Sequence, residues 1–272
     1  MATAALQFRL DNVFASLKSK NEAALVTFIT AGDPQTVSTE DLIVHLAQSG
    51  ADIIEVGIPY SDPLADGPSI QASGQRSLDN GTNPAIVLQD IAKARARTNT
   101  PIVIMTSYNL VYCYGVERFA VDAAAAGIDG AILTDLPPEE AADWKRAADS
   151  AGVATIFLIA PTSTPERIRL ISEQSSGFIY VVSRTGVTGA RNEMPVELHA
   201  MLQTIRSITS KPICVGFGIS QPDHVSLVAA DADGAVIGSA LVDYLHNKSD
   251  APTFIEDVRS LVSSWKSATQ RS

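Results

Sequence analysis

The sequence predicts an α/β protein built as a single (β/α)8 TIM barrel with an additional N-terminal helix. Three observations carry this. Strand-like and helix-like segments alternate from end to end. Each strand candidate is short, continuous and apolar, the pattern of a parallel strand buried on both faces. Several helix ends also feed strands through one type of phrase: "SGADIIEVG", "AGIDGAILT", "AGVATIFLI" and "DADGAVIGS". The glycine suits a left-handed helix C-cap, and the apolar run after it is the next strand. Eight such units in series argue for a closed barrel. An open doubly wound sheet is the alternative, but "TAGDPQT" follows the first strand where a glycine-rich GxGxxG turn would be expected. At 272 residues, with no linker or composition shift, residues 1–272 are expected to form one domain.

The elements follow in order. In residues 1–20, Leu10, Val13, Phe14 and Leu17 fall at helical spacing, while Arg9, Asp11, Lys18 and Lys20 interrupt any apolar run. This is an amphipathic helix packed on the barrel rather than a signal peptide. The expected strands are Leu25–Thr30, Asp52–Gly57, Ile102–Thr106, Gly130–Leu133, Thr155–Ile159, Phe178–Val182, Ile213–Gly216 and Gly234–Ile237. Between them, Thr39–Ser49 opens on a capping residue and carries Leu42, Ile43 and Leu46 as its stripe. Asn83–Arg97 carries Val87, Ile91 and Ala94, and Val116–Ala126 is alanine-rich and stopped by Gly127. Pro138–Ala151 begins with a proline, which is favoured in a first helical turn. Glu166–Gln174, Val196–Ser207, Pro222–Ala230 and Phe254–Ser267 complete the helices.

Formal net charge is −10 and the chain has no basic tract, so neither nucleic acid nor an anionic membrane is an expected partner. No apolar segment approaches the ~20 residues of a membrane span. Cys113 and Cys214 stand far apart and are expected to be reduced, mostly buried thiols of a cytoplasmic protein. His45, His199, His224 and His246 fall on helices or near the C-terminal end, and no metal-ligand spacing is present.

One strand carries a carboxylate. In "ADIIEVGIPYSDPLADGP", Glu55 shares parity with Ile53 near the end of the second strand, where barrel catalytic groups sit. Facing inward, it would lose solvent, and its raised pKa would suit general acid or base work. Pairing with a basic residue across the barrel is the structural alternative, but no expected strand carries Lys or Arg before its C-terminal end. Asp62 and Asp66 follow in a proline-rich loop, where turn chemistry explains an aspartate as well as function does, most of all at Asp62.

Glycine-rich stretches follow three late strands: "SRTGVTGAR" (183–191), "GFGIS" (216–220) and "IGSAL" (237–241). Gly218 and Gly238 permit close backbone approach, and Ser239 adds a hydroxyl. Free N–H groups at a helix start bind phosphate without a lysine, and barrels often build that site after strands seven and eight. Tight-turn duty is the other reading of these glycines. The stretch at 183–191 has the composition of a lid, with Arg184 and Thr188 placed to close on a ligand, or of a plain surface loop.

Together "FITAGDP" (28–34), "ADIIEVGIPYSDPLADGPSIQ" (51–71), "YVVSRTGVTGAR" (180–191), "GFGIS" (216–220) and "IGSALV" (237–242) resemble the α subunits of tryptophan synthase. The resemblance implies cleavage of indole-3-glycerol phosphate to indole and glyceraldehyde 3-phosphate. It implies no cofactor on this chain and a pyridoxal-phosphate β subunit as partner in an α2β2 assembly. Carried over, Glu55 is the general acid/base and Asp66 the carboxylate that accepts from the indole N–H. Tyr180 is an active-site tyrosine. Thr188, Gly189, Gly218, Gly238 and Ser239 hold substrate, and Asp62, Asn109 and Arg184 serve the partner face or the lid. Two positions depart from the family pattern: Ser107, where an aromatic residue is frequent, and Leu110, where proline is common. Other readings are a different sugar-phosphate barrel enzyme and a catalytically silent barrel kept as an allosteric partner. A Schiff-base aldolase would need a strand lysine, which the expected strands lack.

Overall fold

The computed structural model describes residues 7–182, 196–216 and 218–271. Among them are nine parallel strand segments: β1 (Ala24–Thr30), β2 (Ile53–Gly57), β3 (Ile102–Thr106), β4 (Gly130–Leu133), β5 (Ala154–Thr155), β6 (Leu158–Ile159), β7 (Ile179–Val182), β8 (Ile213–Gly216) and β9 (Gly234–Ile237). Their hydrogen-bonded order is β5-β4-β3-β2-β1-β9-β8-β7-β6. The fifth expected strand is thus two short pieces, because its first half pairs with β4 and its second with β7. Ile156 N–H donates to Ala131 O at 2.9 Å on one side, and Tyr180 N–H donates to Phe157 O at 3.2 Å on the other. The run 154–159 therefore joins the two ends of the order, and the sheet closes on itself as a barrel.

The helices are α1 (Gln7–Ser19), α2 (Thr39–Gln48), α3 (Pro68–Asp79), α4 (Pro84–Arg95), α5 (Tyr108–Tyr114), α6 (Val116–Ala125), α7 (Ala142–Ala151), α8 (Pro165–Gln174), α9 (Val196–Ile208), α10 (Pro222–Asp231), α11 (Ser239–Lys248) and α12 (Phe254–Ser267). Sequence reading missed α3, α5 and α11. The fully buried residues of α3 are the serines Ser73 and Ser77, so it shows no apolar stripe. Helix α5 is seven residues long, and α11 starts two residues beyond β9. The stretch expected as one helix from Pro138 is a 3-10 turn, Pro138–Glu140, followed by α7.

Two concentric cores result from strand parity. One parity, including Ile29, Ile54, Ile104, Val181, Val215 and Ile237, packs outward under the helices. The other, including Val26, Ile53, Val103, Ile132, Ile156 and Val236, fills the barrel interior. Helix α1 plugs that interior from below with Leu10, Phe14 and Leu17, and Phe14 meets Phe178 at 5.9 Å between ring centroids. Gly50, Gly127 and Gly152 take positive φ after their helices, as the recurrent phrase suggested. Gly234 differs. It lies inside β9, where a Cβ would sit 2.6 Å from Cys214 Sγ, so it makes room in the interior.

The aspartates of those phrases have a structural use at the N-terminal rim. Asp52, Asp129 and Asp233 accept the backbone N–H of Leu25, Ile102 and Ile213 at 2.8, 2.8 and 2.9 Å. Each also meets cations: Lys266 on Asp52, Arg9 and Arg95 on Asp129, Arg206 and Arg271 on Asp233. The carboxylates thereby close strand starts whose N–H groups would otherwise lack partners. Cys214 is buried as expected, but Cys113 is exposed, because α5 lies on the outside of the barrel with that position facing solvent. Among the described residues no helix is long and apolar enough to cross a membrane, and no group of His, Cys, Asp and Glu could hold a metal ion.

Candidate active site

Glu55 faces the barrel interior, beside Phe28 of β1 and Val103 of β3 in register, and is 1% exposed. Among the described residues, neither of its carboxyl oxygens has a hydrogen-bond partner. Burial, and secondly the charge of Asp66, push its pKa up to about 8. The group is therefore a neutral acid near pH 7, holding a proton that nothing nearby uses. An unsatisfied buried carboxyl is costly, and such groups cluster where chemistry is done.

Asp66 lies in the loop between β2 and α3. Its N–H donates to Pro63 O at 3.1 Å, and Gln71 Nε2 donates to its carbonyl at 2.9 Å. Burial raises its carboxyl pKa, while a hydrogen bond from Tyr60 pulls the other way. Phe28, Gly57, Tyr60, Asp66, Ile70 and Met105 line one cleft at the C-terminal ends of β1 to β3, an apolar slot with a carboxylate at its edge. Phe28 crosses Gly57 so closely that a Cβ there would fall 2.7 Å from Cζ. Tyr180 enters from β7. Burial first, then the charges of Glu55, Cys214 and Asp66, push its phenol well up, so it stays neutral. A Cβ on Gly216 would lie 2.3 Å from the Tyr180 hydroxyl, so that glycine sets the tyrosine's position.

Helix α3 holds the Asp66 loop in place. Arg76 on α3 makes a two-pronged pair with Asp33 of the β1 loop at 2.8 and 2.7 Å, and Thr30 and Ser73 hydroxyls meet at 2.6 Å. No apolar periodicity announced this helix, and the Asp33–Arg76 pair spans 43 residues.

Late-strand glycines shape the other side of the mouth. Gly238 precedes α11 with no side-chain cap, and Leu241 and Val242 N–H make the first bonds back to its carbonyl, at 2.9 and 3.1 Å. The N–H groups of Ser239 and Ala240 stand ahead of those bonds, at the positive end of the helix dipole. Gly218 has φ +76°. A β-branched side chain there is strained. Gly218→Val is expected to weaken glycerol 3-phosphate binding by at least about tenfold and to spare free indole. Unchanged affinity for glycerol phosphate by calorimetry would count against an anion cradle here.

Asp62 is exposed and engaged in turn chemistry: Ser61 Oγ donates to its carboxylate at 2.6 Å, and Leu64 N–H donates to its carbonyl at 2.9 Å. Asn109 is exposed on α5. Its neighbour Ser107 has a local reason to be serine. Ser107 Oγ donates to Asp135 at 2.6 Å and accepts from Asn109 N–H at 3.2 Å, and Tyr108 N–H reaches the same carboxylate at 2.6 Å. Leu110 packs against the outer core. Arg184, Thr188 and Gly189 lie outside the described residues. Sequence reading gave no role to Tyr60, Thr134 or Asp135. A tyrosine beside a proline and a "TD" at a strand end signal little until the loops meet.

A buried neutral acid, a second carboxyl at the edge of an apolar slot, and a helix start facing the same mouth define a barrel enzyme that works by proton transfer on an anionic, partly apolar substrate. The comparisons narrow this. The family model described as tryptophan synthase alpha chain matches residues 14–270. A tryptophan synthase alpha chain from Geobacter sulfurreducens is 49% identical over 260 residues, covering 96% of this chain and 98% of the relative. One from Geobacter sp. (strain M21) is 48% identical, covering 95% and 96%. The crystal structure of tryptophan synthase subunit alpha from Legionella pneumophila superposes with TM-score 0.87 at 35% identity, covering 96% of this chain and 98% of that one. A structure of Mycobacterium tuberculosis tryptophan synthase also gives 0.87, at 36% identity, covering 97% and 99%. The chain belongs to the tryptophan synthase alpha chain family.

Proposed function

We propose that this chain carries out the alpha reaction of tryptophan synthase, the retro-aldol cleavage of indole-3-glycerol phosphate to indole and glyceraldehyde 3-phosphate, with Glu55 and Asp66 as its catalytic pair. The observation that carries the assignment is Glu55: buried, unpartnered among the described residues, and protonated near neutral pH. Glu55 gives its proton to C3 of the indole ring. The ring becomes positively charged, and Asp66 accepts a hydrogen bond from the ring N–H and stabilises that charge. The bond from C3 to the glycerol carbon then breaks. Its electron pair restores the indole, the hydroxyl on that carbon becomes the aldehyde, and the hydroxyl proton returns to Glu55. One proton leaves Glu55 and one comes back, so the acid is regenerated within a turnover.

Tyr180 packs against the interior core, near Glu55. Gly218, Gly238 and Ser239, with Gly189 and Thr188, are assigned to the substrate's phosphate end. We assign no cofactor to this chain and read residues 1–272 as one domain working in the cytoplasm. Turnover of indole-3-glycerol phosphate by the purified chain, followed as release of indole and of aldehyde in equal amounts, tests the reading. No cleavage, with or without a partner, would refute it.

Membership of this family implies a β-subunit partner. On our reading that subunit carries pyridoxal phosphate, forms an α2β2 assembly and docks over Asp62, Asn109 and Arg184. Docking would cover the mouth and exclude water. Coupling between sites amounts to ~1–3 kcal/mol, so a cognate β subunit is expected to raise turnover at least several-fold. By reciprocity, glycerol phosphate bound here should tighten β binding, and Asp62→Ala should weaken the coupling more than it weakens ligand binding to the isolated chain. Equal activity with and without β subunit would favour a stand-alone lyase.

A further inference from the structure

We propose that Tyr60 is a positioning residue for Asp66, itself held by Thr134, so that a line of hydroxyls from Thr134 through Tyr60 fixes the carboxylate at the edge of the slot. This rests on the assignment of Asp66 above. Tyr60 stands three residues beyond β2 and lines the same cleft as Asp66. Its hydroxyl is 3.3 Å from Thr134 Oγ1, at the end of β4. Thr134 is tied in turn to β3, with its N–H on Thr106 O at 3.0 Å. The tyrosine therefore spans the mouth from the β2 loop to the end of β4, passing β3, and links the loop that carries Asp66 to the rigid barrel.

Donor and acceptor counting gives the line a direction. An ionised carboxylate only accepts, and a phenol has one proton. Facing Asp66, Tyr60 must donate, which leaves its lone pairs to accept the Thr134 proton at 3.3 Å, in preference to the longer 3.5 Å approach of that hydroxyl to Thr106 O. A bond to a charged acceptor is the stronger kind, so the proton is best placed there. Among the described residues, the groups acting on this end of the site are Tyr60 from the same loop, Glu55 from β2, Tyr180 from β7 and Asp135 beside Tyr60. None is a cation. The Tyr60 hydroxyl is thus the group among them that favours the charged form of Asp66, against burial.

The sign follows. A hydrogen bond to the charged form lowers a carboxyl pKa, so removing the hydroxyl raises it. If turnover needs Asp66 ionised, the acid limb of activity must then move to higher pH. The test measures kcat/KM for indole-3-glycerol phosphate from pH 5 to 9 on the complete chain, with β subunit present, for Tyr60→Phe, Thr134→Val and Asp66→Asn. Tyr60→Phe keeps the ring and loses only the hydroxyl. Its acid limb is expected to move up by about half to one pH unit. On the acid side of that limb activity should then fall about three- to tenfold, with a smaller loss on the plateau, while the affinity for glycerol 3-phosphate stays close to the parent. Thr134→Val should move the limb the same way by less. An unmoved acid limb in Tyr60→Phe, with Asp66→Asn inactive, would overturn the positioning role and leave the Asp66 assignment standing. A uniform loss at every pH with an unmoved limb would likewise reduce Tyr60 to a packing residue. Near-normal turnover by Asp66→Asn would remove the Asp66 assignment itself, and the proposal with it.

Discussion

Glu55→Gln is expected to give a folded barrel whose turnover of indole-3-glycerol phosphate falls by at least ~10²–10⁴, the usual worth of a positioned acid/base. Glutamine matches the carboxyl in shape and cannot deliver or receive the proton at C3. The same substitution has a stability signature that separates it from misfolding. Burial raises the folded pKa of Glu55 to about 8, above the ordinary carboxyl value of 4.5. A group raised in this way contributes stability that is fully present below its unfolded pKa and is lost as pH rises through the folded one. The parent should therefore lose stability between about pH 4.5 and 8 through this residue, on the order of 5 kcal/mol, and Glu55→Gln should not. Urea unfolding at pH 5 and pH 9 measures the difference. Parent activity should also fall as pH rises through about 8, where the acid ionises. A folded Glu55→Gln protein with near-normal turnover would end the assignment.

The second large effect is at the opposite end of the barrel. Asp129 is fully buried and accepts from Arg9 at 2.7 Å, from Arg95 at 2.8 Å and from Ile102 N–H at 2.8 Å. Even so, burial raises its pKa, so desolvation outweighs these three donors. Such a pair need not be stabilising relative to an apolar replacement, but removing one partner leaves the other charge stranded. Asp129→Ala is expected to destabilise by ~3–5 kcal/mol, seen as a urea midpoint lower by about 1–2 M. The added change Arg95→Met should recover part of that loss, because it removes the stranded guanidinium. The folded fraction should keep its KM, since the mouth of the barrel is untouched. An unchanged midpoint would show that the strand-start clamp contributes nothing.

How far the molecule could be read from its residues depended on how local each cause was. Leu10, Val13, Phe14 and Leu17 announced α1 because their spacing alone makes an apolar stripe, and three of them are buried in the interior core. Glu55 could be aimed inward because parity with Ile53 holds along any strand, and Ile53 is an interior residue. The positive-φ glycines at 50, 127 and 152 were legible because only glycine takes that conformation cheaply. Cys113 was misjudged because a thiol's burial depends on which way a short helix faces, and α5 shows no stripe to say so.

By itself, then, the sequence determined the alternation of eight strand positions with helices, the plug at the bottom and the inward carboxyl. Period and parity are properties of neighbouring residues, and neighbouring residues impose them. The tertiary structure decided what needed distant partners. The run 154–159 closes the barrel only because β4 and β7 arrive on its two sides. Helix α3, with serines where an apolar stripe would be, is held by Arg76 on Asp33 and Ser73 on Thr30, contacts 43 residues apart. Tyr60 meets Thr134 across 74 residues. The proton on Glu55 belongs to this second class too. Its pKa is set by how completely the closed barrel removes water and by the charge of Asp66, and neither is present until the whole chain has folded.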